Sequence, residues 1–237
     1  MKLTGQIAVV TGAGRGIGKA IALTLASHGA TVVLVSRTLG ELEQVQKEIS
    51  SKGGTAAVIR SDITRDQEVS ELFAAVKRQF GRLDTLVNNA GMGKFQNIRN
   101  LKVEEFDAMW SLNVRALFLC TQHALGFMES QKNGLIVNIS SLAGKNAFVG
   151  GGGYAATKWA LMGFSKCLML EERQYNIRVI TVCPGSVETT FSDHESEAAR
   201  ADKILSPQDV ADTVLSAILM PPRAMVSEID IRPTNPK

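Results

Sequence analysis

Two side chains in the second half of the chain, Tyr154 and Lys158, are candidates for acid–base chemistry. They stand four residues apart in a segment of helical pattern, so they share one helix face. A free tyrosine, with a reference pKa near ~10, is a poor acid at neutral pH. An ammonium ~4 Å away at an effective dielectric of ~20 favours the phenolate by about 4 kcal/mol, at most roughly 3 pKa units. We therefore expect Lys158 to lower the pKa of Tyr154 toward the range of a general acid.

Ser141 adds a hydroxyl that can hydrogen-bond a substrate oxygen as negative charge develops on it. The other tyrosine, Tyr175, is predicted at the far end of the same helix, away from every glycine cluster, and is a poor rival to Tyr154. No metal site or disulfide framework is expected, because the cysteines and histidines are scattered and show no C-x-x-C spacing. These residues are Cys120, Cys167 and Cys183, and His28, His123 and His194. The cysteines are expected to be buried small hydrophobic residues.

A glycine-rich loop, TGAGRGIG from Thr11 to Gly18, directly follows the first apolar run. Its spacing is T-G-x-x-x-G-x-G, which does not fit the G-x-G-x-x-G of many dinucleotide-binding loops. Small residues let the backbone approach a pyrophosphate, and the following helix offers free N–H groups and a positive dipole end. A glycine loop alone is weak evidence, because a tight strand–helix turn without a ligand has the same composition.

Together with three further motifs, this spacing resembles the short-chain dehydrogenase/reductase family. Asn88–Gly91 reads N-N-A-G, Tyr154–Lys158 reads Y-x-x-x-K with Ser141 at the expected distance before it, and Pro184 and Gly185 form a P-G pair. The resemblance implies hydride transfer between a nicotinamide cofactor and a small-molecule carbonyl or alcohol. It implies a catalytic set of Asn113, Ser141, Tyr154 and Lys158, in which Asn113 holds a water that links Lys158 to solvent. Lys158 would also bind the nicotinamide ribose.

The end of the second strand candidate favours NADP(H) over NAD(H). An acidic residue there would accept the ribose hydroxyls of NAD, but the strand ends in Ser36, Arg37 and Thr38. Arg37 can bind a 2′-phosphate through charge-assisted hydrogen bonds, and Arg15 could reach it from the other side. The alternative is that both arginines are solvated surface charges.

The resemblance extends this cofactor site to four other strand ends. It implies that Asp62 and Ile63 contact the adenine, and that the segment after the sixth strand fixes the nicotinamide carboxamide. The complete expected cofactor set is Gly12, Gly14, Arg15, Gly16, Ile17, Gly18, Ser36, Arg37, Thr38, Asp62, Ile63, Asn89, Ala90, Gly91, Tyr154, Lys158, Pro184, Gly185, Val187 and Thr189.

These motifs require a scaffold of alternating strands and helices. Apolar runs rich in Val and Ile, without strict alternation, indicate strands covered on both faces. They are Ile7–Thr11, Thr31–Ser36, Thr55–Ser61, Leu83–Asn88, Gly134–Ser140, Ile177–Cys183 and Glu228–Arg232. Helical segments lie between them, for example Asp66–Phe80 before Gly81. We predict a single α/β domain over residues 1–237, a Rossmann-like, doubly wound parallel sheet of seven strands with helices on both faces.

Composition and charge exclude several classes of protein. With 45% hydrophobic and 21% charged residues, the chain has the balance of an ordinary folded domain. The net charge of +3 is spread without a basic block, so no nucleic-acid partner is expected. No apolar run approaches the ~20 residues of a membrane span, and the N-terminus shows no signal-peptide pattern. The expected location is the cytoplasm.

Two features bear on assembly and substrate. The helix from Tyr154 carries large apolar residues on more than one face, as does the segment with Trp110 and Phe118, which predicts a homodimer or homotetramer. The polar segment Thr190–Glu195 resembles the family's substrate loop. The glycine run 150–153 before Tyr154 predicts a roomy, weakly lined mouth. The C-terminal segment departs from the family's usual glycine-rich ending, which puts one usual subunit contact in doubt.

The expected reaction is NADPH-dependent reduction of a ketone or aldehyde, including the 3-oxoacyl thioesters that 3-oxoacyl-carrier-protein reductases use. An alcohol, sugar or steroid dehydrogenase acting in the oxidative direction is the enzymatic alternative. A non-catalytic NADP(H)-binding regulatory protein is the alternative of another class, and the intact catalytic set argues against it.

Overall fold

The structure, a computed structural model, describes residues 2–189 and 204–235. All seven predicted strands are confirmed, with ends that differ from the prediction by no more than two residues. They are β1 (Ile7–Thr11), β2 (Thr31–Ser36), β3 (Thr55–Arg60), β4 (Thr85–Asn88), β5 (Gly134–Ile139), β6 (Ile177–Pro184) and β7 (Glu228–Ile231).

Helices connect these strands, and sequence signals mark some of their ends. They are α1 (Gly16–Ser27), α2 (Leu39–Ser51), α3 (Asp66–Phe80), α4 (Val103–Trp110), α5 (Ala116–Gln131), α6 (Gly152–Glu172) and α7 (Pro207–Ile218). Helix α3 ends at Gly81, whose φ of 69° is the left-handed conformation that glycine adopts readily. Helix α7 starts with a capping box, in which the Ser206 hydroxyl accepts from the N–H of Asp209.

The sheet is entirely parallel, with strand order β3-β2-β1-β4-β5-β6-β7. Strand order reverses between β1 and β4, which are neighbours in the sheet although two strands separate them in sequence. In such sheets ligands bind beyond the carboxyl ends of the strands at this reversal. The fold therefore brings the segments after β1, β4, β5 and β6 to one edge.

Both faces of the sheet are covered, which explains why the strand sequences lack polar alternation. One face packs against α1, α2 and α7 through residues such as Leu25, Leu42 and Val214. The other packs against α3, α5 and α6 through residues such as Leu72 and Leu168. Cys120 and Cys183 are buried as expected, whereas Cys167 is exposed.

A buried chain of polar side chains ties the middle of the sheet to α6. The side-chain amide of Asn88 donates to the side-chain oxygen of Asn138, Oδ1, at 2.9 Å. The side-chain amide of Asn138 donates in turn to the Ser165 hydroxyl at 2.9 Å. Asn88 also donates to the Thr121 hydroxyl at 3.1 Å, which adds α5. Because a buried polar group without a partner is costly, this chain fixes how β4, β5 and the two helices meet.

Within the described ranges, no helix is both long and apolar enough to cross a membrane. Over the same residues, no group of three or more His, Cys, Asp and Glu side chains is placed to hold a metal ion.

Candidate active site

The glycine loop after β1 packs directly against the segment after β4. A Cβ on Gly18 would lie 2.2 Å from the Gly12 carbonyl oxygen and 2.4 Å from the Asn89 amide nitrogen. Gly12 and Gly16 have φ values of 65° and 54°, a conformation that residues with a Cβ rarely adopt. The glycines are therefore needed for close backbone contact, and no side chain caps the N-terminus of α1.

Thr11, which is not in the predicted cofactor set, holds this contact together. Its hydroxyl donates to the Val87 carbonyl at 3.2 Å and accepts from the N–H groups of Asn89 and Ala90 at 3.0 and 3.1 Å. The Asn89 amide donates back to the Thr11 carbonyl at 2.9 Å. The T-G-x-x-x-G-x-G motif begins with Thr11, so the sequence did mark this residue. Its role depends on the pairing of β1 with β4, which the sequence does not show.

Three guanidinium groups lie at the carboxyl ends of β1, β2 and β3. Arg15 and Arg37 are exposed there, and their expected contact with a 2′-phosphate stays a prediction. Arg60 was missed: it lies opposite Ser36 in the β2–β3 register, and its Nε donates to the Arg37 carbonyl at 3.1 Å. The sequence signal for Arg60 was its place as the last residue of β3. Thr38 is likewise exposed beside them, and Ile63 is buried.

Asp62 follows β3 at the same edge. Burial alone would raise the pKa of its carboxyl, but hydrogen bonds from Thr64 and the charges of Arg37 and Arg65 outweigh burial, so the pKa is lowered. Asp62 is therefore a fixed negative group, with one oxygen accepting from the Thr64 N–H and hydroxyl at 3.1 and 2.7 Å.

A carboxylate also approaches the glycine loop, although no acid ends β2. Glu41, in the first turn of α2, is half-buried, and its Oε2 would lie 2.7 Å from a Cβ on Gly14. Glu41 was not predicted, because an acid was expected only at the strand end. Gly14 is thus required by the contact with Glu41 as well as by the turn.

Tyr154 and Ser141 form the centre of the site. Their side chains are hydrogen-bonded to each other, and Tyr154 is only 7% exposed. Ser141 precedes a short 3₁₀ turn, and its Oγ also accepts from the Ala143 N–H at 3.1 Å, which fixes the hydroxyl. The two hydroxyls thus converge at the end of β5 and the first turn of α6, where they could bind one substrate oxygen.

Lys158 lies one helical turn from Tyr154 but does not have the predicted effect. Its Nζ is 5.7 Å from the centre of the Tyr154 ring and donates to the Ile139 carbonyl at 3.0 Å. Burial raises the pKa of Tyr154 to about 12, partly offset by the hydrogen bond with Ser141, and burial lowers the pKa of Lys158 to about 8. The expected lowering of the tyrosine pKa is therefore wrong for the protein without ligands, because desolvation acts on both groups.

Asn113 lies in a π-helical turn, Ser111–Arg115, between α4 and α5. Its Oδ1 accepts from the Met92 N–H at 2.9 Å, while its amide donates to the Met92 carbonyl at 2.8 Å and the Thr157 hydroxyl at 3.0 Å. A Cβ on Gly91 would lie 3.3 Å from Asn113 Oδ1 and 3.8 Å from Lys158 Nζ. Gly91 thus leaves open a space that both polar groups border, which suits a bridging water.

The segment after β6 lies across the glycine loop. The Gly185 N–H donates to the Ile231 carbonyl at 2.8 Å, and the Thr189 methyl would lie 3.3 Å from a Cβ on Gly16. Val187 forms a bridge to Leu205. The predicted substrate loop, 190–195, and His194 within it lie outside the described residues.

The glycine run before Tyr154 differs from the weakly lined mouth that was expected. A Cβ on Gly151 would lie 2.4 Å from the Phe148 ring, and one on Gly153 would lie 2.6 Å from Leu101. Phe95 stands between the rings of Phe148 and Tyr154. The missing side chains of the glycines therefore leave room for the Phe148 ring and the Leu101 side chain, and aromatic side chains line the mouth. Sequence analysis missed both phenylalanines because their loops have no regular period.

Comparisons with known proteins agree with this geometry. Residues 6–200 match the family model described as short chain dehydrogenase. An uncharacterized oxidoreductase of Staphylococcus aureus is 36% identical over 231 residues, 98% of each chain. A metagenomic short-chain oxidoreductase, solved in complex with NADP, is 38% identical with a TM-score of 0.88 over 99% of each chain. An alcohol dehydrogenase from the archaeon Thermococcus sibiricus, complexed with 5-hydroxy-NADP, is 29% identical with a TM-score of 0.91 over 97% of each chain.

Proposed function

The chain belongs to the short chain dehydrogenase family of oxidoreductases, and on that premise we propose that it reduces a ketone or aldehyde to an alcohol with NADPH. The observation that carries this proposal is the hydrogen-bonded pair of Tyr154 and Ser141, buried at the carboxyl edge of the sheet beside Lys158. Two convergent hydroxyls suit a carbonyl oxygen that gains negative charge during the reaction.

The residues of the cleft fit NADP(H). The glycine turn and the open N-terminus of α1 suit a pyrophosphate, and Arg15, Arg37 and Arg60 offer three cations for a 2′-phosphate. Two structural neighbours were solved with NADP or 5-hydroxy-NADP. When bound, the nicotinamide supplies the hydride. Asn89, Gly185 and Thr189, beside the glycine loop, would hold the cofactor in the cleft.

Tyr154 acts as the proton donor. Its raised pKa keeps the phenol protonated at neutral pH, as a donor must be, and an alkoxide is basic enough to take that proton. Ser141 donates a hydrogen bond to the same oxygen. Lys158 stabilises the phenolate that is left, and the space between its ammonium and Asn113 Oδ1 holds the water that returns a proton from solvent.

The alternative is oxidation of an alcohol, and one observation favours it: a neighbour of known structure is an alcohol dehydrogenase. In that direction Tyr154 must first lose its proton, and burial, which raises the pKa of its phenol in the protein without ligands, opposes that step. The two directions are distinguished by initial rates with NADPH and a carbonyl against NADP⁺ and the matching alcohol at pH 7. We expect reduction to be faster.

The test is loss of NADPH absorbance with a panel of ketones, aldehydes, diketones and 3-oxoacyl thioesters. We expect Tyr154→Phe to lower kcat by at least about 10²-fold, the lower range for one general acid, while NADPH binding stays near that of the unaltered protein. Tyr175→Phe is the matched control, because it removes the hydroxyl of the other tyrosine without touching the site, and it should retain activity. Equal activity in Tyr154→Phe would refute the proposal.

We also propose that two or four copies assemble. A cavity of about 540 Å³ is lined by residues of α4, the π-helical turn, α5 and α6, among them Trp110, Leu161 and Phe164. Beside these, Phe118 and Trp159 are 45% and 54% exposed. Large exposed apolar residues around a groove on two neighbouring helices suit a second copy packing against the same helices.

A further inference from the structure

Four apolar side chains surround the approach to Tyr154. Phe95 and Phe148 are 37% and 47% exposed, and Ile98 and Val149 are 78% and 92% exposed. We call these four residues the aromatic rim. Contiguous exposed apolar side chains are uncommon on folded proteins and mark surfaces that contact something else. Because the rim adjoins Tyr154, a molecule that binds to the rim also lies next to the candidate proton donor.

The rim continues the Tyr154 ring outward. The Phe95 ring meets the Tyr154 ring edge to face, with centres 5.3 Å apart and planes at 76°. The Phe148 ring follows, with its centre 5.9 Å from that of Phe95 at 51°. The three rings thus follow one another from the buried Tyr154 to the more exposed Phe95 and Phe148, spaced as aromatic pairs prefer. A planar group attached to a carbonyl carbon could add to this row.

The glycine run holds the rim in place. Gly151 carries no Cβ where the Phe148 ring lies, and a Cβ on Gly152 would lie 3.0 Å from the Ile98 side chain. Gly150 has a φ of 79°, so the turn itself also depends on glycine. The two apolar side chains therefore rest on backbone rather than on movable side chains, and the rim is preformed. Preformed contacts cost less entropy when a ligand binds.

We propose, resting on the function proposed above, that the substrate is an aryl carbonyl compound. Its ring packs against Phe95 and Phe148 while its carbonyl oxygen reaches the hydroxyls of Tyr154 and Ser141. Ring–ring contacts add about 0.5–1.5 kcal/mol beyond area burial, which corresponds to roughly 2–12-fold in affinity. The rim thus selects a planar ring over an aliphatic group of similar size, and a small carbonyl compound gains nothing from it.

The experiment compares acetophenone, cyclohexyl methyl ketone and butane-2,3-dione in the unaltered enzyme and in Phe148→Leu. For each protein, kcat/KM for acetophenone is divided by kcat/KM for cyclohexyl methyl ketone. The ratio for the variant is then divided by the ratio for the unaltered enzyme. This quotient cancels the intrinsic reactivity of the two ketones. We expect this quotient to fall about 3–10-fold, through KM for acetophenone, with a smaller change in kcat/KM for the dione. Phe95→Leu gives a second variant from the other side of the rim.

Phe80→Leu is the matched control, because Phe80 ends α3 near the start of β4, at the opposite edge of the sheet. It should leave the quotient at one. An unchanged quotient in both rim variants would overturn the proposal. Binding of 1-phenylethanol by calorimetry separates the two proposals: if no carbonyl is reduced but this alcohol binds more weakly to Phe148→Leu, the reductase assignment fails and the rim stands. If it binds equally to both proteins, the rim proposal also fails.

Discussion

Burial shifts the pKa values of Tyr154 and Lys158 in opposite directions. Both groups stay protonated at neutral pH, the phenol neutral and the ammonium with a positive charge that burial makes costly. The ammonium donates a hydrogen bond to the Ile139 carbonyl, a neutral acceptor. A cation in this position is poorly compensated in the folded chain and useful once a phenolate forms beside it.

Lys158→Met should therefore stabilise the protein while removing activity. The methionine fills a similar volume without a charge, and we expect the free energy of unfolding at pH 7 to rise by about 2 kcal/mol, or ~4–8 °C in Tm. Differential scanning calorimetry measures the midpoint, and NADPH consumption measures the loss of turnover. A lower midpoint in the variant would show that the ammonium stabilises the fold.

The same substitution has a defined pH dependence. The pKa of Lys158 is lowered from 10.5 in the unfolded chain to about 8 in the folded one, so the unfolded state binds more protons between these values. The unaltered protein should gain about 3 kcal/mol as pH rises from 8 to 10.5, relative to Lys158→Met. Urea denaturation of both proteins across this range measures the stability advantage of the variant, which should be largest below pH 8 and fall to zero or change sign by pH 10.5. A constant difference would contradict the lowered pKa.

Arg37 should determine the preference for NADPH. Arg37→Ser removes a charge-assisted contact with the 2′-phosphate, and we expect KM for NADPH to rise about tenfold or more while KM for NADH hardly changes. Arg78→Ser, at the other edge of the sheet, loses the same charge and should behave like the unaltered enzyme. Equal changes with both cofactors would show that Arg37 is a solvated surface charge.

For single residues, separation along the sequence was informative where the residues belong to one motif. Tyr154, Lys158 and the glycines could be predicted as site residues because their separations are fixed by one helix or one turn. Arg60 and Phe148 were not, because their places depend on strand register and on an irregular loop. Glu41 was missed because it reaches the glycine loop from a helix rather than from the strand end.

Among the elements, the loop–helix junction after β1 is the most tightly packed part of the site. Gly18 belongs to α1, yet its Cα lies against the Gly12 carbonyl and the Asn89 amide, so one added methyl must push two segments apart. The distance of 2.2 Å to a backbone oxygen is too short for any rotamer change to relieve.

Gly18→Ala should weaken NADPH binding by at least about tenfold and lower stability by ~1–3 kcal/mol, since overpacking moves backbone at the phosphate site. Fluorescence titration with NADPH and thermal unfolding measure the two effects. Gly126→Ala, in α5 where an added Cβ meets nothing within 4 Å, is the control and should be slightly more stable. If both variants bound NADPH equally well, the close contact would have no role in binding.

The elements were largely predictable from the sequence, because strands buried on both faces show as continuous apolar runs. Strand ends moved by up to two residues, as at β4, where Leu83 precedes the first paired residue. The π-helical turn that holds Asn113 was not predicted, because its residues differ little from those of an ordinary helix.

At the scale of the whole molecule, α5 and α6 each present one face to the sheet and large apolar residues to the other side. We expect light scattering at micromolar concentration to give a mass of at least twice 25.5 kDa. Phe118→Glu should lower that mass, because a charge in the groove beside Phe164 cannot be buried without a partner. Leu39→Glu, on the exposed start of α2, is the control. A monomeric mass for the unaltered protein would contradict the assembly.

The position of β1 beside β4 has a consequence for synthesis on the ribosome. Strands β1, β2 and β3 pair with near neighbours in sequence, so the first 60 residues can form a three-stranded unit early. The carboxyl edge with Tyr154 needs β4, β5 and β6, and closing those distant pairings is slow. The glycine turn after β1 waits for Asn89, after β4, to pack against it, and Tyr154 follows only in α6, so the candidate site assembles after most of the chain has left the exit tunnel.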